Sequence, residues 1–393
     1  MLAQKDCSHG VRSNDPGHEN SETGSPLQRN LGQRKIPSLD GMRAVAVTLV
    51  ILFHQQVPFI PEGRGVLTFF VMSGFLITWF MLKESEQSGG MSIRDFYARR
   101  ALRILPAFYV FWLLYVSLAL LLRGAPSAAD GGAYASAFFF FSNYWHATHA
   151  SITMVHTWAL SMEEQFYLLW PWVFVAFQHD LRKLTRIIVG VIVTVDVYRI
   201  ILFFGWHASE KWLTYAFDCR IDHLMVGCLL AVILKRGTLQ RFWDFATSRP
   251  WFSVVTLALI VASIALNFRF HVPYRFAVAF VADPILTAVF LVQVIAFSRS
   301  ALWGWLNSRI ACHIGKVSYS MFLFHTLTNE LVRHFLGRHS ALLKVPVSLV
   351  LAVTVGSISF FAVEKKFLRM KSRTTAAHAR KLAPATSPLH EPA

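Results

Sequence analysis

The apolar residues of this chain fall into long blocks rather than into the alternation of a half-buried strand. Blocks of spanning or near-spanning length lie at about 42–60, 66–82, 104–122, 158–178, 187–206, 221–234, 251–268, 276–298, 317–336 and 342–363, against the roughly 17–25 residues that a bilayer helix requires. The pattern predicts an all-α polytopic membrane protein, a bundle of about ten transmembrane helices with both termini on one side. A shorter block at 134–145 ends in aromatic and polar residues. It reads as an interfacial or re-entrant piece, and counting it as a span would give eleven.

Polar residues inside such blocks are costly and therefore informative. The first block, in SLDGMRAVAVTLVILFHQQVP, has two strongly polar interior side chains, Arg43 and His54. Eleven residues of helix place them within roughly 20° of one face and roughly 16 Å apart along it. The bland reading makes Arg43 a charge anchor and His54 a satisfied interior histidine; the functional one makes them two ends of a site. The second block carries FFVMSGFLIT, where Ser73 and Gly74 allow close approach of another helix or of a ligand chain. Between the second and third blocks FYARRALRILP brings Arg99, Arg100 and Arg103. Guanidinium forks suit phosphate, although basic cytoplasmic loops and anionic lipid headgroups explain such a cluster equally well.

The fourth block opens HTWALSMEEQFYLLWPW, with Glu163 and Glu164 in its first two turns. If the first helix runs on to residue 60, Glu163 and His54 share a depth of roughly 9 Å below the outer rim. They then form a candidate base-and-orienter pair, the alternative being that the carboxylates oppose a helix dipole at a wet N-terminus. DCRIDHLMVGCLLA clusters Arg220, Asp222 and His223 at an outer mouth, to bind a hydroxylated acceptor or to pair with one another. GKVSYSMFLFHTLT sets His325 near mid-membrane. No internal repeat and no P-loop, GxSxG or HExxH pattern is present.

Charge sets the expected orientation. Of 38 Lys and Arg, 27 fall in the two tails and the loops on their side, eight in the alternate loops and helix rims, and three within helices. By the positive-inside rule both termini are cytoplasmic, so Arg43 lies at the inner rim. The formal charge of +16 is accounted for by those loops, and with 54% hydrophobic and 15% charged residues there is no soluble basic domain for nucleic acid. Four scattered cysteines show neither disulfide nor zinc spacing, and no metal site is expected. Residues 1–35 are polar, lack the apolar core of a cleavable signal and read as a disordered cytoplasmic tail; 367–393 read as a basic cytoplasmic tail.

Taken in order, these motifs resemble the acyltransferase 3 family of integral-membrane O-acyltransferases over about residues 36–366. The Arg43-to-His54 stretch, FFVMSGFLIT, RRALR, HTWALSMEEQFYLLWP, IDHLMVGCLLA and VSYSMFLFH each match a family motif, with Ala159 standing where serine is usual. The match includes none of the soluble esterase-like domain that some members carry. The resemblance implies transfer of an acyl group, commonly acetyl, from cytoplasmic acyl-CoA to a hydroxyl of a surface polysaccharide, lipid-linked glycan or similar acceptor. The protein would then sit in the bacterial cytoplasmic (inner) membrane. On this reading His54 is the base or is itself acylated, and Glu163 orients it. Arg43, Arg99, Arg100 and Arg103 hold the CoA phosphates, while Glu164, Arg220, Asp222 and His325 meet the acceptor. The competing class is a transporter or flippase of a glycolipid or small hydroxylated product, for which buried charges would line a route.

Overall fold

The computed structural model of the chain describes residues 25–33, 35–337 and 340–369. Its described residues form fifteen α-helices and no strand. In order these are α1 Pro26–Gly32, α2 Leu39–His54, α3 Arg64–Ser88, α4 Ile93–Arg123, α5 Ala128–Phe138, α6 Ser142–Thr148, α7 Thr157–Phe177 and α8 Leu181–Phe204. They continue with α9 Glu210–Tyr215, α10 Ile221–Arg236, α11 Gln240–Ala246, α12 Trp251–Tyr274, α13 Phe280–Ala296, α14 Arg309–Leu336 and α15 Ala341–Ser359. Starts are set by side-chain oxygens that satisfy first-turn amides: Ser92 accepts from the Asp95 amide, Asp180 from Lys183 and Ser308 from Ala311. Gly89 and Gly237 end α3 and α10 in the left-handed conformation.

Each of the ten apolar blocks coincides with one of α2, α3, α4, α7, α8, α10, α12, α13, α14 and α15. Among the described residues five stretches are long and apolar enough to cross a membrane: Arg64–Ser88, Ile93–Leu122, Leu181–Phe204, Trp251–Ala296 (α12 and α13 together) and Ala341–Arg369. Outward faces are correspondingly greasy, with Leu121 and Leu122 on α4, Val193 and Val197 on α8, and Leu259 and Val261 on α12 all exposed. A patch of that extent suits lipid, not water. The 134–145 block is split between α5 and α6 by a break at Phe140, whose φ is +58°. Neither piece, at about 16 Å or less, reaches across a bilayer.

Three expectations change. The first helix ends at His54, not at residue 60, because Pro58 cannot continue it and Gln56 and Phe59 take positive φ. The arginines of FYARRALRILP lie inside α4 and not in a loop, since Ser92 starts that helix before them. The segment 1–35 is not wholly a structureless tail: Ser25 and Gln28 form a capping box, and α1 buries Leu27 and Leu31. There Asn30 donates to the Ile295 carbonyl (2.7 Å) and Lys83 to that of Leu31 (2.7 Å). The remaining tail positions, 1–24, 34 and 370–393, lie outside the described residues.

The centre of the bundle is the α3–α10 pair. A Cβ added at Gly74 would lie 1.9 Å from the Leu224 carbonyl oxygen, and one at Gly227 would lie 2.1 Å from that of Val71. Only glycine at both positions lets the backbones meet, so Gly74 of FFVMSGFLIT serves helix packing. One face of the bundle gathers α1, the start of α2 and the end of α3. Ser85 reaches Gln178 (2.9 Å), Arg236 reaches Thr185 (2.8 Å) and Ser38 reaches Asn307 (2.6 Å). These are the segments assigned to a common side by the Lys and Arg count. The opposite face holds the end of α2 and the start of α7.

Candidate functional site

Two polar layers are built into the bundle, one toward each face. In the first, Arg100 on α4 lays its guanidinium 3.5 Å over the Tyr167 ring of α7. Arg43 and Arg103 lie close enough for their charges to act on each other and on Tyr167. Glu163, one turn before Tyr167, accepts a hydrogen bond from Ser73 Oγ (2.8 Å) and sits in the field of Arg100, Arg43 and Arg103. Glu164 also faces Arg100. Beyond Arg103, Glu364 accepts from Ser320 Oγ (2.5 Å). Arg99 leaves the group, since it is paired with Glu84 of α3 at 2.6 Å. The expected cluster of four guanidinium groups is therefore one of three. Arg103 is exposed and Arg43 half-buried, so the cluster remains open to a ligand.

The second layer surrounds a cavity of about 340 Å³ at the opposite face, lined by His54, His146, His156, Lys211, Arg220 and His223 among others. His54 packs its ring 4.7 Å from that of His325, which in turn lies 5.1 Å from His156. His325 is fully buried, and its Nδ1–H donates to the Phe322 carbonyl (2.5 Å), which fixes the ring with Nε2 turned away from that bond. No protein group among the described residues hydrogen-bonds that Nε2. Behind the cavity Asp222 is clamped by Arg199 (3.0 Å), which also pairs with Asp196, and lies 3.0 Å from His223 Nδ1.

The layers separate residues that the sequence suggested were together. His54 meets His325, whose ring in turn meets His156, and not Glu163. The reason is the early end of α2: His54 is level with His156, the residue before α7, and Glu163 is seven residues further along, about 10 Å deeper. Glu163 is thus no orienter of His54. Glu164 belongs with Arg100 and not with an acceptor at the outer mouth. His325 lies behind His54 and outside the cavity wall, and Asp222 is committed to Arg199, so of the four expected acceptor residues only Arg220 lines the cavity. His156, Tyr167, Lys211 and Glu364 had no assigned role in the sequence. Only His156 left a usable signal, a histidine at the very start of an apolar block that faces a shortened first helix. Among the described residues no group of three or more His, Cys, Asp or Glu is placed to hold a metal ion.

The chain belongs to the acyltransferase 3 family, whose acyltransferase domain matches residues 36–362. It is 28% identical over 321 residues to a peptidoglycan O-acetyltransferase of Listeria monocytogenes, covering 75% of this chain and 49% of that one. A Staphylococcus aureus protein provisionally named an O-acetyltransferase is 28% identical over 305 residues, 74% of this chain and 50% of its own. A Bacillus subtilis protein provisionally named a peptidoglycan O-acetyltransferase is 28% identical over 312 residues, covering 74% and 48%. The chain spans about half the length of these curated relatives. No solved structure matches it.

Proposed function

We propose that this protein is a membrane O-acyltransferase that carries an acyl group, most simply acetyl, from acyl-CoA at the inner face to a hydroxyl of a glycan, lipid-linked glycan or similar acceptor at the outer face. Ten helices cross the bacterial cytoplasmic membrane on this reading, with both termini inside. One observation carries it: α2 begins among the arginines, with Arg43, and ends at the cavity, with His54. A donor whose phosphates rest on Arg43, Arg100 and Arg103 needs an arm along one helix, about 16 Å, to present its thioester at His54. The relatives' names point to the same chemistry and to a glycan acceptor.

At the cavity the acceptor hydroxyl gives its proton to His54 as its oxygen bonds to the thioester carbonyl carbon. Collapse of the tetrahedral intermediate breaks the C–S bond, and the proton on His54 passes to the departing thiolate. His325 supports the ring of His54 with its own tautomer set by the Phe322 carbonyl. The test is transfer of labelled acetyl from acetyl-CoA in proteoliposomes. His54→Ala is expected to insert normally and lose at least about 100-fold in turnover, the usual scale for removing a general base. Near-normal turnover in that variant refutes the role of His54.

A further inference from the structure

We propose that Arg220 forms an oxyanion subsite in the outer cavity, so that the acceptor is an anionic hydroxylated molecule bearing a phosphate or carboxylate. The inference rests on the acceptor reading of that cavity and adds the acceptor's charge class. Arg220 is 3% exposed and lines the cavity, yet among the described residues no side-chain or backbone acceptor hydrogen-bonds its guanidinium and no carboxylate lies within ion-pair distance. Its Nε is enclosed without a partner. The neighbouring arginines are all engaged: Arg64 with Asp283 at 2.7 Å, Arg275 with Glu62 at 3.5 Å, and Arg199 with Asp196 and Asp222. Each carboxylate near Arg220 is thus already held by another arginine. Lys211, also on the cavity wall, pairs with no carboxylate among the described residues.

What does hold Arg220 is aromatic. Its guanidinium lies 4.0 Å from the Phe280 ring centroid and 5.8 Å from that of Trp158. A cation–π contact uses none of the guanidinium N–H donors, which are the groups that match an oxyanion bidentately. A buried cation held against aromatic rings on the wall of a cavity shared with His54 selects an acceptor by charge beside the group that activates its hydroxyl.

Binding of inorganic phosphate to the full chain in phosphatidylcholine nanodiscs tests this. Saturable binding is expected, weakened about tenfold or more in Arg220→Gln, the loss of a charge-assisted contact, and by a smaller factor in Lys211→Gln. Equal affinity in wild type and an Arg220→Gln protein of unchanged thermal stability overturns the proposal. If Arg220→Gln does not fold, Lys211→Gln decides, because Lys211 is exposed and its replacement spares the core: affinity equal to wild type overturns the subsite. Two other sources of anion are separated by competition. Competition is read only on the component of phosphate binding that Arg220→Gln removes, because phosphate resting on Arg43, Arg100 and Arg103 is displaced by CoA in any case. Displacement of that component by phosphatidylglycerol in the disc would assign it to a lipid headgroup, and its displacement by CoA would assign it to the donor; either overturns an acceptor site. Release of CoA from acetyl-CoA by the wild type is measured separately, so failure of the transferase reading and of the subsite are told apart.

Discussion

Replacing Arg100 and Arg103 by lysine separates a donor site from a set of topology charges. If these residues only mark the inner side of the membrane, lysine serves as well, because the topology signal counts charge. If they grip phosphate, lysine keeps the charge and loses the second hydrogen bond and the planar fork. At Arg100 it also loses the stacking on Tyr167, where the guanidinium sits 3.5 Å from the ring centroid. A charge-assisted hydrogen bond contributes about 1.5–3 kcal/mol, so one lost contact raises the donor KM roughly ten-fold and two raise it toward a hundred-fold. Neighbouring groups do not add fully, which makes the ten-fold figure the firmer expectation. Because donor binding is lost uniformly, kcat stays close to wild type. Arg99→Lys supplies the internal comparison, since Arg99 is paired with Glu84 at 2.6 Å and lies outside the cluster. The assay is initial-rate acyl transfer against acyl-CoA concentration in proteoliposomes, with insertion checked by protease accessibility. An unchanged donor KM in the double variant, or an equal rise in Arg99→Lys, refutes the phosphate-grip argument.

Further expectations follow from the same geometry. His325→Asn should lower kcat by about ten-fold, less than His54→Ala, leave both KM values near wild type, and show little added effect in the double variant, as a positioning residue must; a purely additive loss in the steady-state rates counts against it. Gly227→Leu should disrupt the α3–α10 contact, where even a Cβ would sit 2.1 Å from the Val71 carbonyl oxygen, with an overpacking cost of about 1–3 kcal/mol or more read as a lower melting temperature in detergent. Arg199→Gln strands Asp196 and Asp222 and should cost about 3–5 kcal/mol, seen as poor recovery of folded protein, whereas the exposed Arg333→Gln should be silent. A cysteine at Ser88 in a cysteine-free background should be shielded from an impermeant reagent in intact cells and one at Ile152 should react; the reverse pattern inverts the orientation.

The helical architecture was legible because its signal is local and repeated: each apolar block of spanning length is a helix wherever it occurs. The glycine pair Gly74 and Gly227 was half legible. Small residues announce a close approach, but that the partner of Gly74 is α10 follows only from the fold. Site membership was less legible because it depends on where helices stop. Arg99, Arg100 and Arg103 look equivalent as a string, and what distinguishes them is the acidic residue on a neighbouring helix that claims one of them, Glu84 for Arg99. Asp222 and Arg220 are two residues apart in sequence, yet one faces a buried arginine and the other a cavity.

The sharpest case is His54. Extending its helix to residue 60 gives it a carboxylate partner at Glu163, while stopping it at His54 leaves that carboxylate about 10 Å deeper along α7 and sets the His54 ring against His325 of α14, with His156 beyond it. The consequence is chemical. A base backed by a carboxylate is stabilised as the imidazolium, whereas one whose ring packs against that of His325 gains no counter-charge. On the proposed mechanism the counter-charge during turnover comes from the reacting pair itself, the oxyanion of the tetrahedral intermediate or the departing thiolate. That arrangement would, on the same mechanism, tie protonation of His54 to the presence of both substrates, and it leaves the carboxylates of α7 in the field of Arg100, where they balance the charge of the arginines.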